Sequence, residues 1–165
     1  MSNFGPTDER LRRVQARMPG FAVEPMRVAR MIFLLHKTLR DEMNSVLRKY
    51  DLADSSYIVL AILYGSIDET STASALSEAC HEKPANLTRV CDELAGRGLI
   101  ERNPKLGDRR AVMISLTDSG RALIEQALPD VSERVVAACT SVSAAELRQL
   151  ADLHLRLLEG LNSGA

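Results

Sequence analysis

The side chains with the clearest chemical potential are amides, hydroxyls and cations in two short segments. The first segment holds Asn86, Thr88 and Arg89. Asparagine suits adenine and arginine suits guanine, each through two parallel hydrogen bonds, so these residues are candidates for contacts with base edges or, for Thr88, with a phosphate. The second segment carries the guanidinium groups of Arg109 and Arg110. Other polar side chains suit phosphates, which position a protein on a duplex without specifying its sequence. They are Ser74, Lys83 and Lys105.

Apolar spacing places the first segment on a helix and the second segment on a β-hairpin. Four apolar residues recur at i, i+3, i+4 and i+7 and predict a helix over residues 84–96 with a polar opposite face. They are Leu87, Val90, Cys91 and Leu94. Alternating apolar residues predict strands over residues 99–103 and 110–116, joined by a turn at residues 104–108. A polar helix face beside a cationic hairpin is the geometry of a winged helix-turn-helix, whose helix enters the major groove of DNA.

The remaining pattern is mainly helical. Helices are predicted over residues 8–18, 25–50, 56–64, 72–80, 119–138 and 144–161. The apolar run within residues 56–64 also fits a buried strand, but its surroundings favour a helix. Pro129 is expected to kink or restart its helix, and Ser143 with Glu146 forms a capping box. A loop is expected over residues 65–70, and the turn at residues 80–83 lacks the usual small residue. We therefore predict a mainly α fold with a small β-hairpin wing.

Two motifs in this region resemble those of the MarR (multiple antibiotic resistance regulator) family. The wing motif of that family, Asp-Arg-Arg followed by a short apolar strand and Leu-Thr-x-x-Gly, stands here at residues 108–120. The preceding segment, LAGRGLIER at residues 94–102, is similar to the family's helix-to-strand junction. The resemblance implies a DNA-binding transcription regulator, in which Asp108 orients the wing and either Arg109 or Arg110 inserts into the minor groove.

Three segments with different roles are expected. Residues 1–53 form an arm and a long dimerisation helix, residues 54–117 form the winged helix-turn-helix, and residues 118–165 form C-terminal dimerisation helices. Apolar stripes on the long helix and on the last helix exceed what one small domain needs. The resemblance supplies a partner, since family members dimerise through their terminal helices. A two-fold homodimer predicts a pseudo-palindromic operator on double-stranded DNA.

The family usually couples DNA binding to a small aromatic acid or phenol. The resemblance implies a pocket lined by the helices at residues 25–50 and 56–64. Arg27 or Arg30 could pair with a ligand carboxylate. The other predicted wall residues are Met31, His36 and Tyr57. We expect a repressor that a hydroxybenzoate or hydroxynicotinate type of ligand releases from its operator by shifting the population of dimer states.

Charge distribution supports a nucleic-acid partner although the net charge of the 165 residues is −1. Residues 83–110 hold seven Lys or Arg and four Asp or Glu, a net charge of +3, whereas residues 111–165 hold four and seven, a net charge of −3. The sequence offers no membrane span and no signal-peptide pattern, so we expect a cytoplasmic protein.

Other classes of function are less favoured by the residues. The sequence shows no phosphate-binding loop or nucleophile motif, so neither an enzyme nor a cofactor is expected. The three histidines lack the spacing of metal ligands. Three widely spaced cysteines do not suggest disulfides, but Cys80 is a candidate thiol for a redox-responsive regulator. A dimeric interaction protein that does not bind DNA remains the other alternative.

Overall fold

A computed structural model of the protein describes residues 4–105 and 108–163, with backbone alone for residues 105 and 108–111. Within the described part of the chain, no helix combines the length and the apolar character needed to cross a membrane. The chain divides into two compact units, Met1–Asp54 and Ser55–Ala165. Most described residues are helical, and a small antiparallel sheet lies in the second unit.

The first unit consists of two helices. Helix α1 spans Gly5–Arg17 and helix α2 spans Val23–Leu47, followed by a 3-10 turn at Arg48–Tyr50. The prediction that one α-helix reaches Tyr50 was wrong for its last three residues, which form the 3-10 turn. The α-helix ends early because Asp51 adopts a left-handed conformation (φ 50°) and the Leu52 N–H donates to the Leu47 carbonyl.

Five helices belong to the second unit or begin at its boundary. They are α3 (Asp54–Tyr64), α4 (Ala73–Ala79), α5 (Pro84–Gly96), α6 (Asp118–Ala138) and α7 (Ala144–Ser163). The apolar run near residue 60 is a helix, as predicted, and not a strand. Its Leu60 and Leu63 are fully buried, as are Leu76 of α4, Leu94 of α5 and Ile124 of α6. This aliphatic core fixes α4 and α5 in place.

The sheet has three strands and not only the two of the predicted hairpin. Strands β1 (Thr70–Thr72), β2 (Ile100–Lys105) and β3 (Asp108–Leu116) lie antiparallel in the order β1-β3-β2. The loop predicted over residues 65–70 was wrong at its end, because Thr70 pairs with Ser115 of β3. A three-residue strand is too short to show an alternating pattern.

The turn predicted over residues 104–108 was wrong at both ends, because Pro104 and Lys105 belong to β2 and Asp108 belongs to β3. A register shift falls between Pro104 and Lys105. Proline donates no hydrogen bond, but it is tolerated in β2 because that strand lies at the edge of the sheet. Strands β2 and β3 therefore form a longer ribbon that carries its cationic residues at the far end.

The two C-terminal helices follow the predicted bounds within two residues. Helix α6 is continuous across Pro129, so of the two expected outcomes the restart was wrong and the kink stays a prediction. The capping box before α7 is confirmed: the Ser143 N–H donates to the Glu146 carboxylate at 2.8 Å, and the Glu146 N–H donates to Ser143 Oγ at 3.3 Å. These hydrogen bonds lower the pKa of the Glu146 carboxyl, through the Ser143 hydroxyl first and its backbone N–H second.

Large apolar side chains remain exposed on α2 and α7. On α2, Phe33 is 68% exposed and Leu35 is 49% exposed in the single chain. Helix α7 contains no buried residue, and its leucine stripe faces solvent in the single chain. Leu153, near the middle of that stripe, is 45% exposed.

Candidate nucleic-acid interface

Helices α4 and α5 form a helix-turn-helix. Thr72 caps α4, where its Oγ1 accepts a hydrogen bond from the Ala75 N–H at 3.2 Å. His81 adopts a left-handed conformation (φ 51°) in the turn, a position that usually favours glycine. The Ser77 hydroxyl donates to the Glu82 carbonyl at 2.6 Å and closes the turn from the α4 side. His81 therefore takes the left-handed position although the turn lacks the usual small residue.

One side of α5 anchors it in the core, as the apolar spacing predicted. Leu87, Val90, Cys91 and Leu94 are each no more than 3% exposed. Pro84 occupies the first turn, where its missing N–H has no cost. The opposite side of this helix, which we call the recognition helix, is presented to solvent.

The centre of that solvent face follows from helical geometry. At about 100° per residue, Ala85, Arg89 and Asp92 point away from the buried stripe, and Thr88 and Asn86 lie on its two flanks. Arg89 and Thr88 are exposed and Asn86 is half-buried. Ala85 was not among the predicted site residues, although its position in the first turn suits apolar contact with a thymine methyl group.

Asn86 does not stand free on its flank. Its Nδ2 donates to Glu82 Oε2 at 2.8 Å, and its Oδ1 accepts from the Arg89 guanidinium at 3.1 Å. Glu82 was also missing from the predicted site, because it lies in the turn before α5, where helical spacing does not apply. The proposed base contacts of Asn86 and Arg89 stay predictions. The structure adds that these two side chains are hydrogen-bonded to each other.

The other flank of the recognition helix is tied to β2. Arg102 Nη1 donates to Asp92 Oδ1 at 2.6 Å and its Nη2 donates to the Thr88 carbonyl at 3.2 Å. The Thr88 hydroxyl donates to the Pro84 carbonyl at 2.9 Å, which leaves its oxygen as an acceptor. Asp92 would repel phosphates from the centre of the exposed face, and the charge of Arg102 opposes that effect.

The predicted phosphate contacts are distributed around this helix. Ser74 is exposed near the start of α4 and its Oγ lies 3.1 Å from Thr72 Oγ1. Lys83 is exposed at the N-cap of α5. The side chains of four predicted wing residues lie outside the described part of the structure. They are Lys105, Asp108, Arg109 and Arg110.

The junction after the wing explains the Leu-Thr-x-x-Gly motif. The Thr117 hydroxyl accepts from the Gly120 N–H at 3.0 Å and donates to the Gly98 carbonyl at 2.7 Å. The Thr117 N–H donates to the Leu99 carbonyl. An added Cβ at Gly120 would lie 2.0 Å from that Leu99 oxygen. Glycine therefore lets α6 start directly against the end of the α5–β2 junction.

The predicted effector residues come from two helices. Arg27, Arg30, Met31 and His36 lie on α2, and Arg27 pairs with Asp8 of α1 at 2.9 Å. Among the described residues Arg30 makes no ion pair, and its side chain is exposed. Tyr57 lies on α3 and is buried, which raises the pKa of its phenol. Their joint role in ligand binding stays a prediction.

The environments of Cys80 and Cys91 do not favour a redox switch. Burial raises the pKa of the Cys80 thiol to about 11, and Cys91 and Glu82 add to the shift. Burial likewise raises the pKa of Cys91, against a smaller opposing effect of Arg102. Because the thiolate is the reactive form, Cys80 lacks the environment of a sensor cysteine.

The fold and the recognition helix define a winged helix-turn-helix protein. Comparison with known proteins gives its family: the MarR family model matches residues 52–112. Transcriptional repressor MprA of Escherichia coli K12 is 26% identical over 161 residues, covering 98% of this chain and 92% of MprA. The uncharacterized HTH-type transcriptional regulator YhbI of Bacillus subtilis is 30% identical over 129 residues, covering 76% of this chain and 82% of YhbI. The chain belongs to the MarR family of DNA-binding transcription regulators.

Solved structures agree with this assignment. A mutant of E. coli MarR in complex with operator DNA matches with a TM-score of 0.74 and 25% identity, covering 82% of this chain and 96% of that one. Bordetella bronchiseptica BpsR, solved to explain regulation of its DNA binding by 6-hydroxynicotinic acid, matches with a TM-score of 0.70 and 20% identity, covering 79% and 97%. At that identity the likeness to BpsR concerns the fold alone.

Proposed function

We propose that the protein is a cytoplasmic homodimeric repressor that binds a pseudo-palindromic operator and releases it when a small aromatic acid or phenol binds. The observation that carries the proposal is the solvent face of the recognition helix, which presents Arg89 at its centre and lies beside the ribbon that ends in Arg109 and Arg110. Two copies related by a two-fold axis would place two such helices about 34 Å apart, in successive major grooves.

Exposed apolar surface supports the homodimer. The leucines of α7 recur every three or four residues, and Leu150, Leu153 and Leu157 are each 43–47% exposed in the single chain. The first half of α2 adds Met31 and Phe33, which are 44% and 68% exposed. A continuous apolar stripe of this kind usually marks an interface between proteins. A second copy of the chain is the simplest partner for this stripe, because a two-fold axis pairs the same patch on both copies.

Charge on α2 supports an anionic effector. Arg27 already pairs with Asp8, so Arg30 is the stronger candidate for the partner of a ligand carboxylate. The hydroxynicotinate or hydroxybenzoate class is proposed from the resemblance of the sequence and from the regulation of BpsR by 6-hydroxynicotinic acid. Met31, His36 and Tyr57 are the proposed further contacts.

A salt-titrated gel shift on the DNA directly upstream of the gene tests the proposal. We expect tight binding that falls steeply with salt and is released by one compound of a panel of hydroxybenzoates and hydroxynicotinates. Arg109→Ala with Arg110→Ala should abolish operator binding and leave the dimer intact. Arg12→Ala with Arg17→Ala removes the same charge from α1 and is the control.

Each outcome has a definite meaning. Unchanged affinity in the wing double mutant would refute the assignment of the wing to DNA. Operator binding that no compound affects would refute the aromatic effector and leave the operator-binding regulator. Absence of duplex binding at any low salt concentration would leave only a dimeric interaction protein.

A further inference from the structure

Three polar side chains of the helix-turn-helix form one hydrogen-bonded chain. Glu82 accepts from the Asn86 amide at 2.8 Å, and Asn86 accepts from the Arg89 guanidinium at 3.1 Å. A carboxylate can only accept hydrogen bonds and a guanidinium can only donate them. The orientation of the Asn86 amide is therefore fixed by the chemistry of its two neighbours.

This series of hydrogen bonds ends at Arg89, the residue best placed to contact a base. Arg89 lies opposite the buried stripe, at the centre of the solvent face, whereas Asn86 is half-buried on the flank. A guanidinium carries five N–H donors. One donor is used by Asn86, so a parallel pair remains for the O6 and N7 acceptors of guanine.

We propose that Arg89 reads a guanine in each half-site, and that Glu82 and Asn86 are positioning residues that determine this specificity by holding the guanidinium in place. The proposal rests on the proposed function, because it requires α5 to enter the major groove. Arginine is a flexible side chain, and ordering it before DNA arrives strengthens the specific complex by roughly two- to tenfold.

The negative charge of Glu82 gives the arrangement a distinctive signature. A carboxylate near the DNA backbone weakens contacts with phosphates, which supply nearly all non-specific binding. Removal of Glu82 should therefore strengthen non-specific binding and at the same time weaken discrimination at one base pair. A residue that only stabilised the fold would not change these two quantities in opposite directions.

The experiment begins with selection of a binding site from a pool of randomised duplexes by the full-length protein. Fluorescence anisotropy at one salt concentration then compares the selected duplex with variants in which each G·C pair is replaced by A·T. Arg89→Ala should lose roughly ten- to a hundredfold of discrimination at one G·C pair per half-site. Asn86→Ala and Glu82→Ala should lose roughly two- to tenfold at the same pair.

Two further variants separate positioning from charge and from folding. Glu82→Gln keeps an acceptor for the Asn86 amide and should restore most of the discrimination. Glu78→Gln removes an equal charge from α4 and should raise non-specific affinity without changing discrimination. In the Arg89→Ala background, Glu82→Ala should have no further effect on discrimination, because the side chain that it positions is absent.

The outcomes distinguish this inference from the proposed function. If Asn86→Ala changes a different base pair from Arg89→Ala, Asn86 reads that base directly and the positioning role is wrong. If neither Glu82→Ala nor Asn86→Ala alters discrimination although the selected site is bound specifically, the inference fails and the operator-binding function stands. If selection yields no shared sequence, both fail.

Discussion

Substitution of Gly120 by alanine tests how α6 is joined to the DNA-binding unit. The added Cβ would lie 2.0 Å from the Leu99 carbonyl oxygen and 2.9 Å from its carbon. Ordinary van der Waals contact begins near 3.4 Å, so the two backbones must separate by about 1.4 Å. Both contacting atoms are main-chain atoms, and no rotamer change can move them away.

Gly120→Ala should lower the free energy of unfolding by a large amount for the addition of one carbon atom. Overpacking costs about 1–3 kcal/mol, and the upper end applies because backbone must move. The shift also weakens the Thr117 cap, worth about 1 kcal/mol. Alanine gains about 1 kcal/mol over glycine as a helix former. The free energy of unfolding should therefore fall by about 3 kcal/mol, which lowers the melting temperature by roughly 6–12 °C in a domain of this size.

Urea unfolding followed by circular dichroism at fixed protein concentration measures the effect, since association adds a concentration dependence. Two other glycines are matched controls. Gly96→Ala meets no atom within 4 Å and should be neutral or stabilising by about 0.4–1 kcal/mol. Gly98→Ala also meets open space but has a φ of +68°, so a loss of about 1–2 kcal/mol is expected. A Gly120→Ala protein as stable as Gly96→Ala would refute the close approach to Leu99.

Three further predictions follow from other parts of the chain. Because the pKa of Cys80 is about 11, a disulfide reagent near neutral pH should label it on the order of a hundredfold more slowly than a cysteine in a peptide. The labelling rate should increase as the pH rises. Fast labelling at neutral pH would contradict the raised pKa. The pKa of Glu146 is lowered in the folded protein, so its stabilisation is present above the unfolded pKa of about 4.3 and is lost as pH falls through the folded value. The difference in thermal stability between wild type and Ser143→Ala should therefore be larger at neutral pH than in acid, where only the hydrogen bond from the Glu146 N–H to Ser143 Oγ still contributes. A difference that does not shrink in acid would refute the contribution of the Glu146 carboxylate. Leu153→Glu should dissociate or unfold the dimer in analytical ultracentrifugation, whereas Arg148→Glu, on the opposite side of α7, should not. An intact Leu153→Glu dimer would contradict the placement of this leucine stripe in the interface.

The recognition helix was predictable because its signals are local and agree with one another. Its apolar stripe has helical spacing, Pro84 suits the first turn and Gly96 the last, and the structure gives the same bounds. The capping box at Ser143 was likewise predictable from four consecutive residues. Local patterns of this kind do not depend on the rest of the fold.

Contacts between distant segments were not predictable in the same way. Asp92 and Arg102 lie ten residues apart on a helix and a strand, and their ion pair depends on how β2 packs beside α5. Strand β1 has three residues and exists because β3 offers it a partner. The left-handed His81 lies in a turn closed by the hydrogen bonds of its own N–H to the Glu78 carbonyl and of Ser77 Oγ to the Glu82 carbonyl, in a conformation that its residue type does not favour.

The ion pair and hydrogen bond of Arg102 couple the strand that leads into the wing to the helix that is proposed to read bases. With Arg102 bonded to both the Asp92 carboxylate and the Thr88 carbonyl, the base of β2 and the middle of α5 move together. The proposed DNA contacts of the helix and of the wing would then be separated by a fixed number of base pairs within one half-site. Operators of such a protein should vary in sequence within a half-site but should not tolerate insertions inside it.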